Sequence, residues 1–388
     1  MQKVFSLTQP AVRILAEKYN TPLLVLSTEQ IAYNYHLLQT HLPAVKIHYA
    51  VKANPDARII ATLDKLGSSF DVASDGEMVS LTNLNIAPNR LIYANPVKTA
   101  GGLATAKSQG IFKMTFDSES EIYKMAKALP GATVLLRIRV DNPDALVDLN
   151  KKFGAPAEDA LRLLTIAKDQ GLTVGGLCFH VGSQSPNAKA YLAAMELCHE
   201  LFQQAKAIGF DLSILDIGGG FPIPAGNEEI DIELMLTQIQ ESLDRWFPDT
   251  EIWAEPGRII CGTAVNLITR VIGTQERNEQ QWYFLDEGLY GSFSGIIFDH
   301  WEYELISFKT GKQITATFAG PSCDSLDVLF RDIPTVVLDV DDLLLVPNCG
   351  AYTSASATVF NGFAKASYIV WEDVAATITS HDLCRTAG

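Results

Sequence analysis

Eight times between Ile47 and Ala254 a short apolar run gives way to a stretch of helical spacing, and this alternation limits the fold more than any other feature of the chain. The runs are Ile47–Val51, Ser69–Val72, Leu91–Ala94, Lys113–Phe116, Thr133–Ile138, Gly176–Phe179, Leu212–Ile217 and Glu251–Ala254. Between most of them lie amphipathic segments such as Ala57–Leu66, Ala157–Gln170 and Ala188–Ile208. Short continuous apolar runs suit strands buried on both faces, and strand–helix alternation builds a parallel sheet. Eight repeats over roughly 200 residues predict a closed (β/α)8 barrel.

The rhythm has a different prelude and a different sequel. A helix over Gln9–Tyr19 is broken by Pro22, and Leu23–Leu26 then reads as a strand outside the repeat. Ser27 or Thr28 caps a helix carrying Ile31, Tyr35, Leu38 and Leu42 at helical spacing. After about Asn266 helical periodicity mostly disappears. Leu267–Ile272, Gln281–Leu285, Ile314–Ala319, Val336–Val340, Leu343–Val346 and Ser367–Val370 read as strands. The expected organisation is an α/β barrel over residues 27–265. A β-rich domain, sandwich-like or barrel-like, takes residues 266–388 together with residues 1–26. A chain of 388 residues is long enough for both.

Each barrel run ends in polar residues or glycine: Lys52 and Asn54, Asp71 and Ser74, Asn95 and Lys98, Asp117, Arg137 and Arg139, His180 and Ser183, Gly218 to Gly220, Glu255 and Arg258. The active site of a barrel of this kind is built from the loops at the C-terminal ends of its strands. Taken singly, each residue has a plainer explanation: a snorkelling lysine, a hydrogen-bonded core histidine, half of a structural ion pair. Their shared position at one end of the barrel is what points to chemistry. Ile214-Leu-Asp-Ile-Gly-Gly-Gly-Phe-Pro222 carries the strongest hint, since successive glycines let backbone N–H groups approach an anion. It is no dinucleotide fingerprint. Ile223 stands where the third glycine belongs, and Pro222 and Pro224 interrupt the helix such a motif must open.

Composition narrows the function further. The net charge of −15 argues against nucleic acid or an anionic membrane as partner, and mildly favours a cationic substrate. No apolar run is long enough for a bilayer and no signal pattern opens the chain, so the expected location is the cytoplasm. The six cysteines are scattered without CxxC or zinc spacing, which predicts neither disulfides nor a metal site.

Five motifs together resemble the alanine-racemase-fold, pyridoxal-phosphate-dependent decarboxylases, a family that acts on ornithine, lysine, diaminopimelate and arginine. They are Tyr49-Ala-Val-Lys52-Ala-Asn54, Phe70-Asp71-Val-Ala-Ser74, Cys178-Phe-His180-Val-Gly-Ser183, Asp216-Ile-Gly-Gly-Gly-Phe-Pro222 and Ala254-Glu255-Pro-Gly257-Arg258. Pro321-Ser-Cys323-Asp324-Ser-Leu-Asp327, Gly350-Ala-Tyr352-Thr and Phe360-Asn-Gly362-Phe are similar to its ornithine branch. The resemblance covers nearly the whole chain. It implies pyridoxal 5'-phosphate as cofactor, held by Lys52 as a Schiff base. It implies that Gly218, Gly219, Gly220, Ser183, Gly257, Arg258 and Tyr352 bind its phosphate end. Glu255 would face the pyridine nitrogen, His180 the ring face, and Asp71 and Arg137 would sit close by. A lowered pKa for Lys52 among apolar neighbours is a further expectation.

The same resemblance makes Cys323 the proton donor to Cα, and gives Asp324, Asp299 and Tyr290 the distal ammonium of the substrate. It implies L-ornithine as substrate with L-lysine as alternative or second substrate. It also implies a head-to-tail homodimer with active sites at the interface. Phe298 and Ser325 depart from the residues common beside this pocket, which keeps lysine open. Two other readings compete. A cofactor-free Schiff-base aldolase would use Lys52 and a phosphate site, but does not explain Glu255, Cys323 and Asp324 together. Decarboxylase-like regulatory proteins of the family have lost catalysis and should lack such residues, all of which this chain carries.

Overall fold

The computed structural model describes residues 3–146, 151–225 and 230–385, with side chains to residue 378. The chain divides into two compact units, one made mainly of Ala32–Pro224 and Glu229–Ile260, the other of Gln2–Ile31 and Cys261–Gly388. Among the described residues no helix is long and apolar enough to cross a membrane.

A single short strand, β1 (Leu23–Leu26), precedes the first unit's sheet. That sheet is a closed barrel of eight parallel strands: β2 (Lys46–Ala50), β3 (Ser69–Val72), β4 (Leu91–Tyr93), β5 (Lys113–Phe116), β6 (Thr133–Arg137), β7 (Thr173–Cys178), β8 (Ile214–Asp216) and β9 (Glu251–Ala254). Closure is made by Lys46 pairing with Trp253 and Ile47 with Ala254. The (β/α)8 architecture is therefore as the alternation predicts. Strand ends differ from the apolar runs by a few residues, most at β7, which begins at Thr173 rather than Gly176. Gly176 lies inside that strand because a Cβ there would stand 1.8 Å from the Ile214 carbonyl oxygen of β8. Three helices of the outer layer begin at side-chain caps in the turns after β2, β3 and β4. Asp56 accepts from Arg58 N–H at 2.9 Å, Ser74 from Glu77 N–H at 3.3 Å and Thr99 from Gly102 N–H at 2.9 Å. Each such cap stabilises a helix by about 1 kcal/mol. The caps close the turns after β2, β3 and β4, which carry the polar strand-end residues.

The second unit is one mixed sheet whose path runs β12 (Ile306–Ser307), β15 (Leu343–Val346), β10 (Val265–Arg277), β11 (Gln280–Leu285), β13 (Gln313–Ala319), β14 (Val328–Val336). Strand β1 pairs antiparallel with β10 and parallel with β16 (Ser367–Val370). Two expectations are corrected here. The strand placed at Val336–Val340 ends where it was thought to begin, and the chain beyond turns on Asp341 at φ +75°, with Asp339 N–H donating to Asp342 at 2.6 Å. Strand β14 instead reaches back to Val328 through Arg331, Asp332 and Pro334. It lies at the sheet edge, where a residue without an N–H is tolerated. The last residues, given no element in the sequence, form a helix over Trp371–Arg385.

Candidate active site

The barrel strands deliver one charged or polar group after another to their C-terminal ends. Lys52 lies in the turn after β2 and its Nζ meets the Asp71 carboxylate of β3 at 2.5 Å. The Asp71 side chain is only 1% exposed, whereas that of Lys52 is 40% exposed. The expectation of a lysine pressed among apolar neighbours is thus corrected: its ammonium is partly exposed and held by a buried carboxylate. The turn beneath it is rigid, because the Tyr49 hydroxyl donates to the Asn54 carbonyl at 3.0 Å and Asn54 accepts from Asp56 N–H at 3.1 Å.

Arg137 ends β6, His180 follows β7, Asp216 ends β8 and Glu255 follows β9. Burial, with Arg137 and Lys52 nearby, holds His180 well below the ordinary histidine range, so its ring is neutral. Its Nδ1 accepts from Gly182 N–H at 3.0 Å, which leaves the proton on Nε2. Burial raises Glu255 well above the usual carboxylate range, and Asp216 and Asp71 add to the rise. Burial also pushes Asp216 up to about 6, although Gly218 N–H donates to it at 2.8 Å. Each of the two carboxyls thus holds its proton to a higher pH than it would in water.

The folded values of Glu255 and Asp216 lie above the ordinary value of about 4, so the folded protein binds more protons than the unfolded chain above that pH. Their stabilising contribution is present below about 4 and is lost as pH rises through about 6 and beyond. His180 acts oppositely, its depressed value removing stability as pH falls through about 6.5. The readout is therefore the difference between two melting curves of ligand-free protein. Glu255→Gln should gain on the wild type as pH is raised from 5 to 8, and a constant gap would show that the pair holds no such proton.

The glycine run turns the chain sharply after β8. Gly218 and Gly220 have φ of +68° and +106°, which residues with a Cβ rarely adopt. A Cβ would also stand 2.2 Å from the Phe179 carbonyl oxygen at Gly218 and 2.2 Å from that of Gly182 at Gly220. Backbone thus packs directly on backbone, and the Gly219 carbonyl accepts from the Tyr191 hydroxyl at 2.8 Å. The N–H groups of Gly219 and Gly220 donate to nothing among the described residues. Buried polar atoms close by are also unmatched: Nε and Nη2 of Arg137, Oε1 of Glu255, Oδ2 of Asp216 and Oδ1 of Asp71. Buried polar groups are normally hydrogen-bonded, so such a concentration points to a missing polar ligand. Ser183 is half-buried in the same turn as His180, and Gly257 and Arg258 follow Glu255 as buried residues.

The remaining expected site residues belong to the second unit. The Tyr290 hydroxyl donates to the Asp324 carboxylate, and its ring stacks on Phe360 with centroids 4.1 Å apart. The Leu326 N–H at 2.9 Å and Tyr290 lower the Asp324 pKa. Cys323 is exposed, and its N–H and thiol both lie 3.3 Å from Asn361 Oδ1. Beneath this loop the buried Asp327 accepts from Leu289 N–H at 2.8 Å and Ser322 N–H at 3.0 Å. Asp299 is 8% exposed at the end of the Gly295–Phe298 turn, and Tyr352 takes a left-handed φ of +55°. The structure thus brings Lys52, Asp71, Arg137, His180, Gly218 to Gly220 and Glu255 to the barrel ends, and Tyr290, Cys323 and Asp324 to one surface of the sheet unit. Sequence reasoning quoted Asp216 only inside a motif and gave it no duty. Its one signal was a carboxylate ending an otherwise apolar strand.

Residues 28–262 match the family described as pyridoxal-dependent decarboxylase, pyridoxal binding domain. The lysine/ornithine decarboxylase of Selenomonas ruminantium is 52% identical over 384 residues, 98% of each chain. A crystal structure of the lysine decarboxylase of that organism with PLP and cadaverine superposes with a TM-score of 0.93, at 50% identity, covering 98% of this chain and 99% of the other. Antizyme inhibitor 2 of Xenopus laevis is 38% identical over 84% of this chain and 75% of its own. The closed parallel barrel, the polar groups at its strand ends and these likenesses agree: the chain belongs to the pyridoxal-dependent decarboxylases.

Proposed function

We propose that this protein decarboxylates L-ornithine to putrescine with pyridoxal 5'-phosphate. The observation that carries the reading is the set of buried, unmatched polar atoms at the barrel ends beside Lys52. They fit that cofactor group by group. The Gly219 and Gly220 N–H groups, with Ser183, Gly257 and the Arg258 guanidinium, suit a phosphate dianion. The Glu255 carboxyl keeps a proton that a pyridine nitrogen can share. Neutral His180 can lie against an aromatic ring without charge repulsion. Lys52 would supply the amine that holds the aldehyde carbon, with Asp71 beside it and Arg137 near the same His180.

The bound cofactor supplies an electron-accepting ring for the bonding pair released as CO2 leaves Cα. The chain's own residues do the rest. Glu255 holds the proton at the ring nitrogen, and Cys323 delivers one proton to Cα, where a C–H bond replaces the broken C–C bond. Asp324 and Asp299 take the distal ammonium, with Tyr290 orienting Asp324. Cys323 and Asp324 serve the barrel of a partner subunit in a two-fold dimer. Phe298, Leu326, Val359 and Phe363, apolar and exposed in the same sheet unit, support such a contact. The scattered cysteines keep the cytoplasm as the proposed place of work.

A second reading has L-lysine accepted as well, giving cadaverine. The likeness to a lysine/ornithine decarboxylase favours it. The antizyme-inhibitor likeness raises a non-catalytic alternative, against which Lys52, Glu255, Cys323 and Asp324 are all in place. Incubation with an equimolar mixture of ornithine, lysine, arginine and diaminopimelate, followed by amine analysis, decides among these. Putrescine alone supports the first reading, putrescine with cadaverine the second, and no diamine refutes both. Asp324→Ala should raise KM for ornithine by about tenfold or more, because the distal ammonium loses its counter-charge. An unchanged KM would remove Asp324 from substrate binding.

A further inference from the structure

Gln184 follows Ser183 in the turn after β7, and its side chain crosses to the far end of the glycine turn. Its Nε2 donates to the Ile223 carbonyl at 2.6 Å, and its Oε1 accepts from the Ile223 N–H at 3.1 Å. One planar amide thus satisfies both polar groups of a single residue, as a strand neighbour would. Next to it, Ser185 N–H donates to the Gly220 carbonyl at 2.9 Å. The outer side of the turn is held by Asn142, whose Nδ2 donates to the Val181 carbonyl at 2.7 Å and to Ser185 Oγ at 3.2 Å.

The backbone of Gln184 is held at φ +53°, a conformation that glycine adopts freely and residues with a Cβ adopt rarely. The side chain is 8% exposed, so neither its amide nor its strain is incidental to a solvated surface. Asparagine is one methylene too short for this reach. Glutamate offers only acceptors and would set a carboxylate against the Ile223 carbonyl.

We propose that Gln184 is a positioning residue for the cofactor phosphate. Its amide ties the turn bearing Ser183 to the turn bearing Gly219 and Gly220, and so sets the spacing between the serine and the two unmatched N–H groups. This rests on the reading of those turns as the phosphate site. A phosphate needs its donors at fixed separation, and the two turns come from different strands, so their spacing depends on the contacts that cross between them: the Gln184 amide, the Ser185 N–H on the Gly220 carbonyl and the close backbone packing at Gly218 and Gly220.

The test compares pyridoxal 5'-phosphate with pyridoxal, which lacks the phosphate, as ligands of the cofactor-free protein. Affinities are read from absorbance titrations for the wild type, Gln184→Ala, Gln184→Glu and Gln184→Gly. The wild type should prefer the phosphorylated form. The variants should lose about 10- to 100-fold in affinity for it, the range typical of residues that orient a ligand set from behind, with pyridoxal affinity unchanged. Gln184→Gly removes the clamp and the strain together. It serves as the folded control if Gln184→Ala proves unstable, and its preference should fall as well. If folded variants keep the wild-type preference, or lose both ligands equally, Gln184 has no positioning role toward the phosphate. If the wild type itself binds both ligands alike, the phosphate site is elsewhere and the proposal falls with it.

Discussion

Lys52→Ala is expected to lower diamine formation by about three orders of magnitude or more, as loss of a covalent anchor and proton-handling group does. The side chain rises from a turn fixed by Tyr49 and Asn54, and its ammonium is within 2.5 Å of Asp71. Lys98, another lysine beyond the C-terminal end of a barrel strand, is buried against Glu121 at 3.3 Å. Borohydride reduction of the wild type should fix a pyridoxyl group to the peptide containing Lys52. Label on another lysine, or diamine at the normal rate from the variant, would refute the assignment. The substitution also strands Asp71, whose buried carboxylate loses its counter-ion, so the variant should melt at a lower temperature than the wild type. Lys52→Ala with Asp71→Asn should recover the melting temperature and none of the activity. That separates the structural from the chemical contribution of the pair.

Mixing two inactive variants should restore activity. In the proposed two-fold dimer, Cys323 of one chain serves the barrel of the other. Cys323→Ala alone should keep the cofactor but lose clean diamine formation, with protonation at the wrong carbon giving an aldehyde and pyridoxamine phosphate. A hybrid of Lys52→Ala and Cys323→Ala chains has one site with both lesions and one with neither. Random exchange makes half the dimers hybrid with one of two sites restored, so activity should return to about a quarter of wild type. Hybrid formation is checked by mass or tag pull-down. Hybrids that form without activity would mean that Cys323 serves its own chain.

Much of the barrel was legible because each strand announces itself twice, by an apolar run and by the abrupt polar stop after it. Ser69–Val72, Lys113–Phe116 and Glu251–Ala254 coincide with the observed strands for that reason. Strand β14 was not legible. Arg331, Asp332 and Pro334 break every local signal, and only its pairing with β13 along Gln313–Ala319 makes it a strand. The terminal helix escaped for a related reason. Its Val374 and Ile378 find burial against Leu15 and Leu345, residues far away in sequence.

The periodicity that closes the barrel and the kinds of side chain at its strand ends are legible along the chain, since both depend on near neighbours. How those side chains behave emerges only from packing. Lys52 proves to be ion-paired rather than set among apolar groups, Asp216 shares the electrostatics of Glu255, and Gln184 reaches across 39 positions to Ile223. Charge energies scale with distance and with exclusion of water, and a hydrogen bond exists only where donor and acceptor meet. Both are properties of packing, to which local pattern is blind.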